Sequence, residues 1–141
     1  MKWVVFFLLL LPIIVAGQTK NDFENAMAKF QKFYNAGKGD SINAMFGKGW
    51  DQAKATKALW TNQDNADMLA KYGPLQSFKF IGIDKTDPNR VYVFRTVFKK
   101  GGEQATSLTL DENNMLGTFR FITTSKSIAK LIRKNNNSST Q

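Results

Sequence analysis

The spacing of apolar residues changes at Gly73-Pro74, and this change limits the chain to helices followed by strands. Before this point apolar residues recur every three or four positions, as on one face of a helix. After it they alternate with polar residues, as in strands that bury one face. A glycine followed by a proline also ends a helix. The sequence therefore predicts an α+β fold, with N-terminal helices packed on a curved antiparallel sheet.

The first predicted helix has the clearest apolar stripe in the chain. Asn21 and Glu24 have the spacing of a capping box, and Gly37 has the position of a C-terminal stop. The residues that fall on one helical face are Phe23, Ala26, Met27, Phe30, Phe33 and Tyr34. This stripe predicts a helix that packs against the core.

Two further helical segments are predicted before the sheet. Asp40 or Ser41 is a suitable cap for a short second helix. Residues 51–72 are compatible with a third helix, which the polar stretch 61–65 is predicted to divide into two pieces.

Four strands are predicted after Pro74, at about 75–85, 90–99, 104–111 and 115–123. Short segments rich in Asp, Asn, Gly and Pro separate them, as in consecutive hairpins. The more aromatic face is expected to meet the helices, and it consists of Phe94, Phe98, Leu108, Leu110, Phe119 and Phe121. The pattern predicts an antiparallel meander.

The other face of the predicted sheet combines apolar residues with two arginines. Its members are Val91, Val93, Arg95, Val97, Arg120 and Ile122. Such a face is too apolar for an ordinary solvent surface, so we expect it to mediate homodimerisation or docking of a protein partner. The arginines either pair with carboxylates in an interface or lay their stems along the sheet with their heads in water.

The N-terminus has the pattern of a secretory signal. Lys2 precedes an apolar run over 3–16, and Val15-Ala16-Gly17 offers small residues for cleavage. The run is shorter than the roughly 20 residues that span a bilayer. We therefore predict a signal peptide over 1–17, a periplasmic or extracellular protein, and no stable membrane anchor after cleavage.

Histidine and cysteine are both absent from the 141 residues. Their absence excludes disulfides, thiol nucleophiles, cysteine-based zinc sites and histidine bases. The acidic residues fall at predicted caps, turns and polar faces, so neither a metal site nor a cofactor is predicted. A domain over 18–124 is expected, followed by a basic short helix and polar tail over 125–141.

The formal net charge of the chain is +9. The basic segment 126–134 is expected to give only weak, salt-sensitive attraction to anionic surfaces. No nucleic-acid partner is predicted. A basic surface-associating protein is kept as an alternative.

Two short segments are similar to the nuclear transport factor 2-like superfamily. They are Asn35-Ala36-Gly37-Lys38-Gly39-Asp40 and Gly73-Pro74-Leu75-Gln76-Ser77-Phe78. The chain most resembles a bacterial secreted branch without assigned function, over residues 22–123. This resemblance implies a conical cavity between helices and sheet. It also implies that both isomerase or dehydratase enzymes and non-catalytic binding modules are possible relatives.

The residues favour a non-catalytic module that holds a small apolar ligand or docks a protein. The predicted pocket wall is Phe30, Tyr34, Trp60, Phe94 and Phe119. Tyr34 and Tyr92 are the only inward groups that could transfer a proton, and a tyrosine pKa near 10 is too high for a base at neutral pH. The alternatives are a cone enzyme and a filled cone without space for a ligand.

Overall fold

The computed structural model describes residues 17–47, 60–84 and 89–121, together with helical positions 129, 130, 133, 134 and 137. The helices are α1 (Lys20–Asn35), α2 (Gly39–Asn43) and α3 (Asn62–Tyr72). The strands are β1 (Leu75–Asp84), β2 (Val91–Phe98), β3 (Gly102–Leu110) and β4 (Leu116–Arg120). The strands form one antiparallel sheet in the order β1-β2-β3-β4. The α+β fold with helices before an antiparallel meander is confirmed.

Several sequence predictions concern residues outside the described ranges. They include the apolar run 3–16, residues 51–59 of the predicted third helical region, Ile122 and most of the basic segment 126–134. Within the described ranges, no helix is long and apolar enough to cross a membrane.

α1 begins two residues earlier than the sequence pattern predicts. Its N-cap is Thr19, and the Asp22 carboxylate accepts hydrogen bonds from the Thr19 backbone N–H and hydroxyl at 2.7 and 3.1 Å. Glu24 instead forms an ion pair with Lys20 across one helical turn. The predicted box at Asn21 is therefore wrong, because Asp22 is the acid that reaches back to close the helix start.

The polar stretch 61–65 contains the start of α3, and residues 51–59 of the predicted third helical region lie outside the described residues. The hydroxyl of Thr61 accepts a bond from the Asp64 N–H at 3.0 Å, and the Asp64 carboxylate accepts from the Thr61 N–H at 2.9 Å. This capping box supplies partners for the first turn of α3. At the other end Gly73, with φ of 71°, ends α3 as predicted.

α2 begins at Gly39, so the predicted caps Asp40 and Ser41 lie inside the helix. The Asn62 side chain links the start of α3 to the start of α2. Its Oδ1 accepts from the Asp40 N–H at 3.0 Å, and its Nδ2 donates to the Asp40 carboxylate at 2.8 Å. Gly39 itself approaches the Thr61 carbonyl so closely that a Cβ would overlap it. The absence of a side chain at Gly39 therefore allows α2 and α3 to meet.

The aromatic face of the sheet packs against the helices, as the alternation predicts. Tyr92, Phe94, Phe98 and Leu108 are buried there. They share one core with the buried stripe of α1, which consists of Phe23, Ala26, Met27, Phe30 and Tyr34. The core thus lies between α1 and one face of the sheet.

Candidate functional site

The structure brings together four of the five predicted pocket residues. The ring centroid of Phe30 lies 5.5 Å from that of Tyr34, 5.9 Å from Trp60 and 4.6 Å from Phe119. The fifth residue, Phe94, packs against Phe78 and Phe80 at 6.0 and 5.7 Å. The predicted wall is therefore a set of packed rings with Phe94 in a neighbouring group.

Phe121 lies at the centre of this aromatic group, although the predicted pocket omitted it. Its ring is 5.7 Å from Phe30, 5.6 Å from Tyr34, 5.9 Å from Trp60 and 4.9 Å from Phe98. The strand alternation already placed Phe121 on the aromatic face, so the sequence contained the signal. With Phe121 in this position, ring-to-ring contact fills the space that the pocket would need.

The exposure of three of the five predicted pocket residues agrees with a filled interior. Phe30 is 1% exposed, Tyr34 and Phe94 are 0% exposed, and Trp60 and Phe119 are half-buried. Rings at these separations make direct van der Waals contact. Of the alternatives that the sequence left open, the packing favours the interior without space for a ligand.

A buried asparagine joins α3 to the aromatic group. Asn65 is 0% exposed. Its Nδ2 donates to the backbone carbonyl of Tyr34 at 3.0 Å, and its Oδ1 accepts from Trp60 Nε1 at 3.2 Å. Both ends of the amide are therefore satisfied, as a buried polar group requires. Nothing in the polar sequence 61–65 distinguishes this residue from its exposed neighbours.

The two segments that resemble the nuclear transport factor 2-like superfamily contact each other. Asn35 Nδ2 donates to the Leu75 carbonyl at 2.9 Å, and Asn35 Oδ1 accepts from the Leu75 N–H at 2.8 Å. The Tyr34 hydroxyl donates to the Gly73 carbonyl at 3.0 Å. The end of α1 is thereby fastened to the start of β1, so the residues of both segments that make these contacts have a structural role.

Burial raises the pKa of Tyr34 from 10.0 to about 12, with a further contribution from Tyr72. The folded protein therefore retains the phenolic proton of Tyr34 in a pH range where the unfolded chain loses it. Tyr34 makes its full contribution to the free energy of unfolding below pH 10, and this contribution is lost as the pH rises from 10 to about 12. A phenol that is buried, bonded to Gly73 and this weakly acidic is a poor candidate for proton transfer at neutral pH.

We expect the free energy of unfolding to fall more steeply above pH 10 in the wild-type protein than in Tyr34→Phe. At pH 11, one pH unit above the ordinary tyrosine pKa, the extra loss in the wild-type protein amounts to about 1 kcal/mol. Urea denaturation at pH 8, 10 and 11 measures both slopes. The variant loses the bond to Gly73, so it starts about 1 kcal/mol lower at pH 8. Parallel profiles above pH 10 would contradict the assignment to Tyr34.

The outer sheet face differs from its prediction at the centre. Val93 is 0% exposed and packs with Ile81 and Ala105 in a second small cluster. The expectation that Val93 is exposed is therefore wrong, whereas Val91 and Val97 are half-buried and Arg120 is exposed. A substitution at Val93 would disturb packing within the chain, so it cannot test an interface.

Arg95 has an ion-pair partner in its own chain. Its Nη2 lies 2.6 Å from Oε2 of Glu103 on the neighbouring strand β3, and both side chains are partly exposed. A carboxylate from a second protein is therefore not required to explain an arginine in the middle of β2.

A groove lies beside α1, next to the stripe that faces the core, at a place that the sequence prediction missed. It has a volume of about 600 Å³ and is bounded by α1, α2 and the residues around the β3–β4 turn. Its apolar lining consists of Ala26, Phe33, Ala44, Met45, Met115 and Leu116. Its polar lining consists of Asp22, Asn25, Lys29, Lys32, Ser41 and Asn114. The groove is within the size range of small-molecule sites.

A smaller cavity of about 210 Å³ lies by the N-terminal end of α1 and the end of β3. Gln18, Phe23, Arg90 and Tyr92 are among its lining residues. The space is small for an organic ligand, since such sites usually measure 300 Å³ or more.

The described acidic residues act mainly in local structure. Asp22 and Asp64 close helix starts, and Asp111 Oδ1 accepts from the N–H groups of Asn113 and Met115 in the β3–β4 turn. Asp84 lies at the end of β1, as predicted, but is buried and not solvated. Within the described ranges, no three acidic side chains are grouped closely enough to hold a metal ion.

The fold and groove define an α+β domain with helices on one face of a four-stranded antiparallel meander. Comparison with protein-family models and with curated proteins found no match to this chain.

Proposed function

We propose that this protein is an exported, non-catalytic binding module that holds its ligand in the groove between α1, α2 and the β3–β4 turn. The observation that supports this proposal is the contrast between two regions. The interior between helices and sheet is filled by aromatic rings, whereas the groove is open and combines an apolar floor with polar edges. Apolar sites with a few polar groups are typical of ligand binding.

The chemistry of the groove favours binding over the isomerase or dehydratase alternative. The chain has no histidine, and the carboxylate of Asp22 in the groove already accepts two hydrogen bonds from Thr19. An enzyme of this kind needs an acid or base placed at the reacting atoms. Of the two inward tyrosines, Tyr34 is buried in the core and bonded to Gly73, and Tyr92 is buried and stacked on Phe23.

The architecture and the cell compartment are part of the same proposal. The order of helices and strands is compatible with a nuclear transport factor 2-like cone, and the segments 35–40 and 73–78 support that relationship. Residues 1–17 support export to the periplasm or the exterior. Pairing of two copies through the outer sheet face is supported by the half-buried Val91 and Val97 of β2, together with the exposed Arg120 of β4.

Native mass spectrometry of protein purified from its own compartment tests the proposal. We expect the mass of residues 18–141 with a retained small molecule, and Ala44→Trp should remove that molecule because its indole fills the groove. Ala28→Trp is the matched control, since Ala28 is also exposed but does not line the groove. The same spectra report whether two copies associate.

Two results would contradict the groove as the binding site. A ligand that Ala44→Trp retains but Trp60→Ala loses would place the site in the aromatic interior. Turnover of an enolisable or dehydratable substrate that Asp22→Asn abolishes would support the enzyme instead. Circular dichroism of each variant shows that loss of ligand is not loss of fold.

A further inference from the structure

We propose that the groove binds a free anionic amphiphile, meaning an aliphatic chain with a carboxylate or sulfate headgroup. This inference rests on the proposed function and specifies the ligand class. It follows from three features of the groove: an apolar floor, two lysines at one edge that have no ion-pair partner among the described residues, and a recessed shape.

The floor of the groove suits an aliphatic chain. Phe33 and Met45 contribute half-buried side chains, and Met115 and Leu116 approach from the sheet side. Leu116 is held there by its backbone, because its N–H donates to the Met45 carbonyl at 2.8 Å. Methionine side chains adapt to flexible aliphatic ligands because they are unbranched and polarisable.

The edge of the groove along α1 is positively charged. Lys29 and Lys32 are three residues apart, so they project from the same side of the helix. Both are exposed, and neither forms an ion pair within the described part of the chain. The single carboxylate of the lining, Asp22, is engaged by Thr19 at the helix start. The charge at this edge is therefore complementary to an anionic headgroup.

The shape of the groove favours a single molecule over a bilayer surface. The apolar residues lie between α1, α2 and the β3–β4 turn, so elements on each side flank the floor. A flat membrane would contact the flanking elements and leave the floor unfilled. A free amphiphile can place its chain on the floor and its headgroup beside the lysines.

Isothermal titration with dodecanoate below its micellar concentration tests the ligand class. We expect one bound molecule per chain and at least tenfold weaker binding of dodecylammonium, which has the same chain with the opposite charge. The double variant Lys29→Gln/Lys32→Gln should weaken dodecanoate binding at least tenfold. Lys79→Gln/Lys99→Gln removes the same charge from exposed positions outside the groove and should change it less than twofold.

Other results would overturn the inference. Equal affinity for dodecanoate and dodecylammonium would show non-specific adsorption. Equal losses of dodecanoate affinity in the two double variants would show the same. Sedimentation with phosphatidylglycerol vesicles at physiological salt that depends on Lys29 and Lys32 would show a membrane surface as the partner. If dodecanoate does not bind but Ala44→Trp still removes a retained molecule, the ligand class is wrong and the groove remains the site. If Ala44→Trp removes nothing, the proposed function fails as well.

Discussion

Replacing Phe30 with alanine is expected to lower the free energy of unfolding by about 3–5 kcal/mol. Phe30 is 1% exposed, and its ring contacts Tyr34, Trp60, Phe119 and Phe121. Alanine at this position leaves a cavity among rings that come from three separate parts of the chain, so they can close it only partly. Urea denaturation at neutral pH measures the loss.

Phe33→Ala is the matched control for this prediction. It removes the same atoms from the same helix, but Phe33 is half-buried at the groove. We expect a loss no more than half as large, because folding removes less of the apolar surface of Phe33 from water than of Phe30. A loss below about 1 kcal/mol for Phe30→Ala would contradict the filled interior, because a ring that lines an open pocket makes fewer contacts.

Asn65→Asp is expected to lower the free energy of unfolding by about 3 kcal/mol or more at pH 7. The substitution keeps the shape of the side chain but replaces the amide that donates to the Tyr34 carbonyl. A buried carboxylate would then face a carbonyl oxygen without a hydrogen between them. Thermal and urea denaturation measure the effect.

The pH dependence of Asn65→Asp distinguishes a buried charge from a general packing defect. Burial raises the pKa of a carboxyl group, so the folded variant binds its proton more tightly than the unfolded chain. Its stability relative to wild type should therefore improve as the pH falls from 7 towards 4. Asn21→Asp, at an exposed position in the first turn of α1, should stay within about 0.5 kcal/mol of wild type. A deficit for Asn65→Asp that does not change with pH would contradict the burial of its charge.

The groove and the buried asparagine show why the candidate site was harder to predict than the fold. The groove is formed by residues within positions 22–33, 41–45 and 114–116, which are far apart in the sequence. No local pattern indicates that these segments leave a gap between them. Asn65 has the same kind of polar neighbours as exposed residues of the stretch 61–65, so only the packing of α3 on Tyr34 and Trp60 shows that it is buried.

The sequence by itself determined the class of fold, the four strands and the face that packs on the helices. These properties follow from apolar periodicity and from Gly73-Pro74, which act between residues close in the chain. The tertiary structure decided that aromatic rings fill the interior, that Val93 is buried and that a groove lies beside α1. These properties depend on the volume left between elements when side chains from distant segments meet, and that volume is not encoded in the spacing of neighbouring residues.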